Sequence, residues 1–186
     1  MTKVIATPVK EGADLPAVRK EPFQHHDVGL AKTIDEYNVR INSDPLKEWL
    51  KSHPTNTALK YIPIERIENL LRQIFGTFQV EVIHYGVIAN AVTVHVRLKV
   101  IHPVTGEPMT QDGLGAVAIQ VKSGAGAMDF NATLSGAVMK NLPAAESYAI
   151  KDAAEKFGKL FGSDLNRKDE IVFQSMYKNW EEQHNG

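Results

Sequence analysis

Basic side chains that alternate with apolar ones are the first residues of this chain that could do chemistry. In residues 91–103 (AVTVHVRLKVIHP), aliphatic residues occupy every second position, and His95, Arg97 and Lys99 stand between them. A period of two places alternate side chains on opposite faces of a β-strand. One face of this strand therefore needs an apolar cover. The other face presents two cations and a histidine, and Arg and Lys are the residues that contact phosphate.

Two helical segments carry further cations. Arg66 lies off the apolar stripe of residues 61–76 (YIPIERIENLLRQIFG), near the N-terminal end, where the helix dipole does not favour a cation. It either pairs with a neighbour such as Glu65 or Asn69, or it serves a ligand. A later segment (PAAESYAIKDAAEKFGKLFG) has three lysines opposite a wide apolar stripe, and its acidic residues can form i,i+4 pairs with two of them, Asp152 with Lys156 and Glu155 with Lys159.

Histidines on the strands leave an enzyme open as an alternative. His84, His95 and His102 lie on or near neighbouring strands, and Asp112 is close in sequence. The chain has no HExxH motif, no nucleophile–base spacing and no paired-carboxylate motif, so we predict no catalytic residue. His25 and His26 are adjacent and point apart on a regular element, without a third ligand nearby, so we predict no metal site.

Composition limits the kind of partner. The chain has 186 residues, no cysteine, and a formal net charge of −1 from 21 Lys and Arg against 22 Asp and Glu. This balance argues against coating of nucleic acid by bulk charge, so a polyanion site requires local segregation of charge. No apolar run approaches the ~20 residues of a membrane span. With no secretory signal and no cysteine, we expect a cytoplasmic protein that does not bind a membrane.

The periodicity predicts an α+β fold, a three-stranded antiparallel meander packed on a long helix (β-β-β-α), with flanking helices and an N-terminal arm. The strands are predicted at residues 77–86, 91–102 and 109–121. Gly113 and Gly115 predict a bulge or a strong bend in the third strand. One helix is predicted at residues 61–76 and the long helix from Pro143 to Gly162.

The flanking segments complete a single core domain. Residues 1–43 are predicted to be a loosely ordered arm with helical character near residues 34–39, residues 44–168 the core, and residues 169–186 a last helix. Asp44 and Pro45 predict the start of a short helix in which Trp49 is a packing anchor. The glycine-rich residues 122–141 complete neither a dinucleotide fingerprint nor a phosphate-binding loop, so we expect no bound nucleotide and no other cofactor.

The order and spacing of three segments resemble the single-strand DNA annealing proteins of the Rad-fifty-two superfamily, in a short bacteriophage-type form. YIPIERIENLLRQIFG resembles the family's Tyr-Ile, basic residue, Phe-Gly helix. AVTVHVRLKV, the turn and DGLGAV resemble its "V-R-V-x-L, turn, G-x-G-V" meander, and AAESYAIKDAAEKFGKLFG resembles its "A-x-x-x-A-x-K-x-A-x-x-x-F-G" helix. The likeness covers about residues 60–165.

This resemblance implies a homo-oligomeric ring or helical arc that holds single-stranded DNA in a basic groove, backbone inward, and pairs it with a complementary strand without ATP. Arg66 and Lys151 match family DNA-contacting positions, whereas Asp152 and Glu155 stand where the family has further basic residues. A host single-strand-binding protein is a candidate partner, and a purely structural ring-forming phage protein is an alternative. The predicted DNA-binding residues are Arg66, Arg97, Lys99, Lys151, Lys156 and Lys159, with Lys122 as a second-strand contact.

Overall fold

The fold is seen in a computed structural model that describes residues 28–53, 56–168 and 172–175. Its elements, in chain order, are helix α1 (Val28–Ile41), a 3₁₀ turn (Lys47–Trp49), the two-residue strands β1 (Lys51–Ser52) and β2 (Lys60–Tyr61), helix α2 (Ile64–Phe75), strands β3 (Phe78–Ile88), β4 (Ala91–Ile101) and β5 (Pro108–Ala118), a 3₁₀ turn (Phe130–Ala132), helix α3 (Ala137–Glu155) and a 3₁₀ turn (Lys159–Phe161). The predicted α+β fold with a three-stranded antiparallel meander on a long helix is confirmed.

Strand β4 is the centre of the sheet. The order is β3-β4-β5, with both pairs antiparallel, so Arg97 of β4 lies between Glu81 of β3 and Asp112 of β5. Its five alternating aliphatic side chains are buried on one face, as the period of two predicts. Helix α3 packs on β4 and β5, and helix α2 contributes to the same layer. The core lies between the inner face of the sheet and these two helices.

Close approach of α3 to β5 explains Gly113 and Gly115, and the bulge predicted as one of the two alternatives is not formed. The register of β4 with β5 runs without a shift through both glycines. A Cβ at Gly113 would overlap the backbone at Ala149 and Ala153, and one at Gly115 would overlap the backbone at Ala145. Both glycines are therefore required by helix–sheet contact. The irregularity in this sheet lies in β3, between Val82 and His84.

Helix α3 starts earlier than predicted and ends earlier. Its first residue is Ala137, after Gly136 in the left-handed region (φ 73°), and Pro143 lies inside the helix. Buried Asn141 ties this first turn to the sheet, because its Nδ2 donates to the carbonyl of Ala118 at 2.9 Å. The helix ends at Glu155, since Gly158 takes a φ of 152° that stops regular helix two residues beyond its C-cap.

A cluster of three phenylalanines joins α2 to the segment after α3. The Phe75 ring lies 5.1 Å from the ring of Phe157 and stacks on that of Phe161 at 6.2 Å. Each of the last two is followed by a glycine with positive φ, Gly158 and Gly162, so the repeated Phe-Gly pair turns both rings into the core.

The remaining predictions have mixed outcomes. The helix predicted at residues 61–76 is confirmed as α2, with Gly76 at its C-terminal cap. The helix predicted after Pro45 is wrong, because only a 3₁₀ turn forms before β1. Of the predicted arm, the described part is α1, whose last residue Ile41 is buried in the core. Of the predicted C-terminal helix, residues 172–175 are not helical; the rest, with Tyr177 and Trp180, lies outside the described residues.

We predict that Gly115→Ala lowers the free energy of unfolding by about 1–3 kcal/mol or more, because the added methyl group must push α3 off β5. Urea unfolding followed by circular dichroism measures the change. Gly126→Ala is the control, since no atom lies within 4 Å of the added Cβ there, and it should stay within about 0.5 kcal/mol of the parent. Equal stability of Gly115→Ala and the parent would contradict the packing explanation.

Candidate nucleic-acid interface

A cleft of about 420 Å³ lies between β2, the second half of α3 and the segment that follows the last 3₁₀ turn. Three cations line it, Lys60, Lys151 and Arg167, with Glu155 as the single carboxylate. Of these cations, only Lys151 is among the DNA-binding residues predicted from the sequence. The other lining residues are Tyr61, Ile62, Ile67, Phe161, Gly162, Ser163, Leu165 and Asn166.

The side chain of Asn166 fixes one wall of the cleft. Its Oδ1 accepts a hydrogen bond from the backbone N–H of Lys60 at 2.7 Å, and its Nδ2 donates to the carbonyl of Lys60 at 2.8 Å. An amide group that donates and accepts in this way replaces a neighbouring strand at β2. Asn166 itself has a φ of 65°, which asparagine tolerates better than most residues. Residues more than a hundred positions apart thus set the position of Lys60.

Lys151 lies between two aromatic rings at the edge of this cleft. Its Nζ is 5.0 Å from the ring centre of Tyr61 and 5.5 Å from that of Tyr148, both within cation–π distance. Burial lowers the pKa of Lys151, and the carboxylates of Glu65 and Glu155 oppose that shift. A partly desolvated ammonium group beside two rings can bind a phosphate and leave an aromatic face for a base.

Glu155, one helical turn after Lys151, faces the same cleft. Burial raises the pKa of this carboxyl group, and the charge of Asp152 adds to the shift; Lys151, Arg167 and Lys156 oppose it. Glu155 does not form the predicted ion pair with Lys159. Its carboxylate instead adds a negative charge to a site lined by cations.

Arg66 is not part of the cleft lining. Its guanidinium lies over the ring of Trp49, 5.2 Å from the centre, at the start of α2. Neither predicted partner, Glu65 or Asn69, forms an ion pair or hydrogen bond with it, and within the described ranges no carboxylate does so. Glu65 pairs instead with Lys51 of β1, at 3.4 Å. Arg66 therefore keeps its charge available beside the β1–β2 hairpin, and Trp49 is both a packing residue and a support for the guanidinium.

The cations on the open face of the sheet are paired with carboxylates. Asp112 accepts from Nε and Nη2 of Arg97 at 2.8 and 2.9 Å, and Lys99 contacts Glu81 at 2.6 Å. The hydrogen bonds from Arg97, supported by His95 at 3.2 Å, lower the pKa of Asp112 to about 2. This face carries mixed charge, so Arg97 and Lys99 attract a phosphate group much more weakly than unpaired cations would.

The other predicted lysines have three different environments. Lys159 is 14% exposed and bridges Asp44 at 2.9 Å and Asp164 at 3.5 Å, which makes it a structural link and corrects the pairing predicted with Glu155. Lys156 forms the predicted ion pair with Asp152 at 3.1 Å and also donates to the carbonyl of Asp112. Lys122 is exposed beyond β5, remote in sequence from the residues that line the cleft.

The histidines do not assemble a site. His95 contacts Asp112, whereas Nδ1 of His102 accepts from the backbone N–H groups of Val104 and Thr105 at 3.2 and 3.1 Å. Over the part of the chain that the structure describes, no three His, Asp or Glu side chains are grouped to hold a metal ion. His25 and His26 lie outside the described residues. Within the same ranges, no helix has the length and apolar character needed to cross a bilayer.

No protein-family model matches this chain, and no curated protein matches it.

Lys60, Tyr61 and Arg167 are the site residues that sequence reasoning missed. Lys60 and Tyr61 precede the recognisable helix and form a strand of only two residues, which has no periodicity to detect. Arg167 follows the last Phe-Gly pair in a segment of turns. The adjacent aromatic and basic residues at 60 and 61 were the available signal, because nucleic-acid sites combine both types.

We predict that Asp112→Asn lowers the melting temperature at pH 7, since it removes the carboxylate that Arg97 and His95 hold. A carboxyl group with a pKa lowered from 3.8 to about 2 stabilises the fold above its unfolded-state pKa, and this contribution is lost as pH falls through the window between the two values. The difference between variant and parent should therefore shrink towards pH 2. Thermal melts across pH measure it, with exposed Glu107→Gln as the control; a constant difference would contradict the assignment.

Proposed function

We propose that this protein binds single-stranded DNA without sequence preference and anneals complementary strands without a nucleotide cofactor, as a homo-oligomeric ring or arc in the cytoplasm. The observation that carries the proposal is the cleft lined by Lys60, Lys151 and Arg167, in which Nζ of Lys151 lies 5.0 Å from the ring centre of Tyr61. The protein would then act by binding and not by covalent catalysis. The resemblance of the three sequence segments to the annealing family supports the same conclusion, as does the β-β-β-α core.

The chemistry of the cleft fits a DNA backbone. Sequence-blind binding places its contacts on phosphates, and cations next to an aromatic ring are the combination found in single-strand sites. Arg97, Lys99 and Lys159 are offset by Asp112, by Glu81 and by two aspartates. In the cleft, Arg167 pairs with Asp164 at 3.7 Å, whereas Lys60 and Lys151 form no ion pair within the described residues. In a chain whose net charge is −1, these two lysines give the cleft its unpaired positive charge. Arg66, which lies over the ring of Trp49, is a further candidate contact outside the cleft.

Oligomerisation would compensate for the low DNA affinity of a single site with few cations. Repeating the cleft along one DNA strand raises affinity through effective concentration, without new contacts in each copy. The sheet offers a surface for such contacts. Val82, Tyr85 and Val87 of β3 each lie opposite a buried valine of β4, so their side chains are on the inner face of the sheet. All three are nevertheless about half exposed or more.

The position of α3 accounts for this uncovered surface. The helix packs on β4 and β5, so the inner face of β3 is covered at Phe78 and Val80 and left open further along. Val82 and Tyr85 line an apolar groove of about 250 Å³ with Val94, Leu142 and Glu146. A contiguous apolar patch of this kind is typical of a protein–protein contact. We therefore place the contact between copies on the second half of β3.

We predict that Arg66→Ala with Lys151→Ala weakens binding of every single-stranded sequence alike and reduces the salt slope by about 0.7 for each phosphate that the variant no longer neutralises. Fluorescence anisotropy with labelled oligonucleotides of different sequence, at several salt concentrations, measures both quantities. Lys32→Ala, an exposed lysine on α1, is the control and should leave binding and slope unchanged.

Annealing of complementary oligonucleotides is measured with the same proteins, with and without ATP. The parent should anneal equally well in both, and the double variant should anneal more slowly, because it holds less DNA. An unchanged salt slope in the double variant would remove both residues from the site. An absolute requirement for ATP, or no binding by the parent at low salt, would overturn the proposed function.

We predict that Val87→Asp converts the oligomer to a smaller species and reduces apparent DNA affinity by about a hundredfold or more, because avidity disappears with the neighbouring copies. Light scattering coupled to gel filtration gives the mass. Ile101→Asp is the control, since it puts the same charge at a similarly exposed aliphatic position at the other end of the hairpin. A parent that remains monomeric at working concentration would contradict the oligomeric part of the proposal.

A further inference from the structure

We propose that Glu155 makes the DNA affinity of the cleft depend on pH. Its ionised carboxylate competes with a DNA phosphate for the surrounding cations, and binding of DNA is therefore coupled to the uptake of a proton by Glu155. The inference rests on the proposed function and concerns the regulation of the same site. It accounts for an acidic residue that lines a basic cleft, where a phosphate-binding protein gains nothing from a fixed negative charge.

The two acidic residues in the second half of α3 have different roles. Asp152 accepts a hydrogen bond from the backbone N–H of Leu114 at 3.0 Å and forms an ion pair with Lys156 at 3.1 Å, so it serves the edge of β5. The side chain of Glu155 has no hydrogen bond or ion pair within the described residues, and Glu155 lines the cleft. Of these two carboxylates, Glu155 is therefore the one positioned to meet a phosphate in this cleft.

The charged groups around Glu155 come from every wall. Helix α3 supplies Lys151, Asp152 and Lys156, strand β2 supplies Lys60, and the segment after α3 supplies Arg167. Tyr61 is the other titratable residue in the lining. Three cations and one carboxylate line the cleft, and Asp164 pairs with Arg167 at 3.7 Å, so protonation of Glu155 raises the net charge of this set from one positive to two positive.

Repulsion between like charges sets the direction in which DNA binding and protonation of Glu155 are coupled. Burial and Asp152 already raise the pKa of Glu155 in the free protein. A phosphate placed in the cleft disfavours the ionised carboxylate further, so the pKa is higher in the complex and the complex holds more protons. DNA affinity should therefore rise as pH falls through the pKa of Glu155, by up to about tenfold for each pKa unit that DNA adds.

The test compares Glu155→Gln and Glu155→Lys with the parent, using an oligothymidylate of fixed length at constant ionic strength. At about pH 8, Glu155→Gln should bind several-fold tighter than the parent, and Glu155→Lys tighter still; the gap between Glu155→Gln and the parent should shrink as the pH is lowered and Glu155 becomes protonated. His53, whose ring lies 6.5 Å from that of Tyr61, is present in both proteins, so the readout is the difference between them. Thermal melts show that each variant is folded.

Glu107→Gln is the matched control. It makes the same charge change at an exposed residue between β4 and β5 that lines neither the cleft nor the apolar groove of β3. It should not alter DNA affinity or its pH dependence. If the parent binds DNA and Glu155→Gln binds equally at every pH, the role of Glu155 is refuted and the proposed function stands. If neither the parent nor Glu155→Lys binds DNA at any pH, both are refuted.

Discussion

Backbone contact between α3 and β5 is the constraint on which the rest of this structure depends. Gly113 and Gly115 let the helix lie directly on the strand, against Ala145, Ala149 and Ala153. Such an approach leaves no room for a side chain on the strand, or for one larger than a methyl group on the helix. It fixes the rotation of α3 about its axis, because only the alanine face can enter the contact. The direction in which every other side chain of α3 points is then fixed as well.

That rotation separates the charges of α3. Lys151 and Glu155 face the cleft, whereas Asp152 and Lys156 reach back to the backbone of β5. A charge pattern that looks like a uniform i,i+4 ladder in the sequence is thus divided between a candidate binding site and a structural one. The same division holds elsewhere, since Arg97 is paired within the sheet, while Arg66 lies over the ring of Trp49 and forms no ion pair within the described residues.

Much of the fold could be predicted because its signals are local and periodic. The alternation in β4 and the apolar stripe of α2 each fix an element within a few residues. The start of α3 was missed because Pro143 looks like a helix start, whereas Asn141 anchors an earlier turn to Ala118 by a long-range hydrogen bond. The glycines of β5 were misread because a sequence does not show which helix approaches a strand.

The candidate site was predictable only in part, for a similar reason. Lys151 lies on a recognisable helix, but Lys60 is placed by Asn166, a partner 106 positions away. Arg97 and Lys99 looked like free cations because their carboxylate partners lie on other strands, at distances that only the register defines. Long-range pairing decides which charges are neutralised, and periodicity says nothing about it.

The side chains of Asp152 and Lys156 make the two edge strands of the sheet different, because they hydrogen-bond to the backbone of β5. Asp152 accepts a hydrogen bond from the outward-facing backbone N–H of Leu114, and Lys156 donates one to the carbonyl of Asp112, in the middle of β5. An incoming strand would have to displace them before it could pair there. The two helix side chains therefore protect the middle of the β5 edge against pairing with a further strand, as exposed edge strands of soluble proteins require.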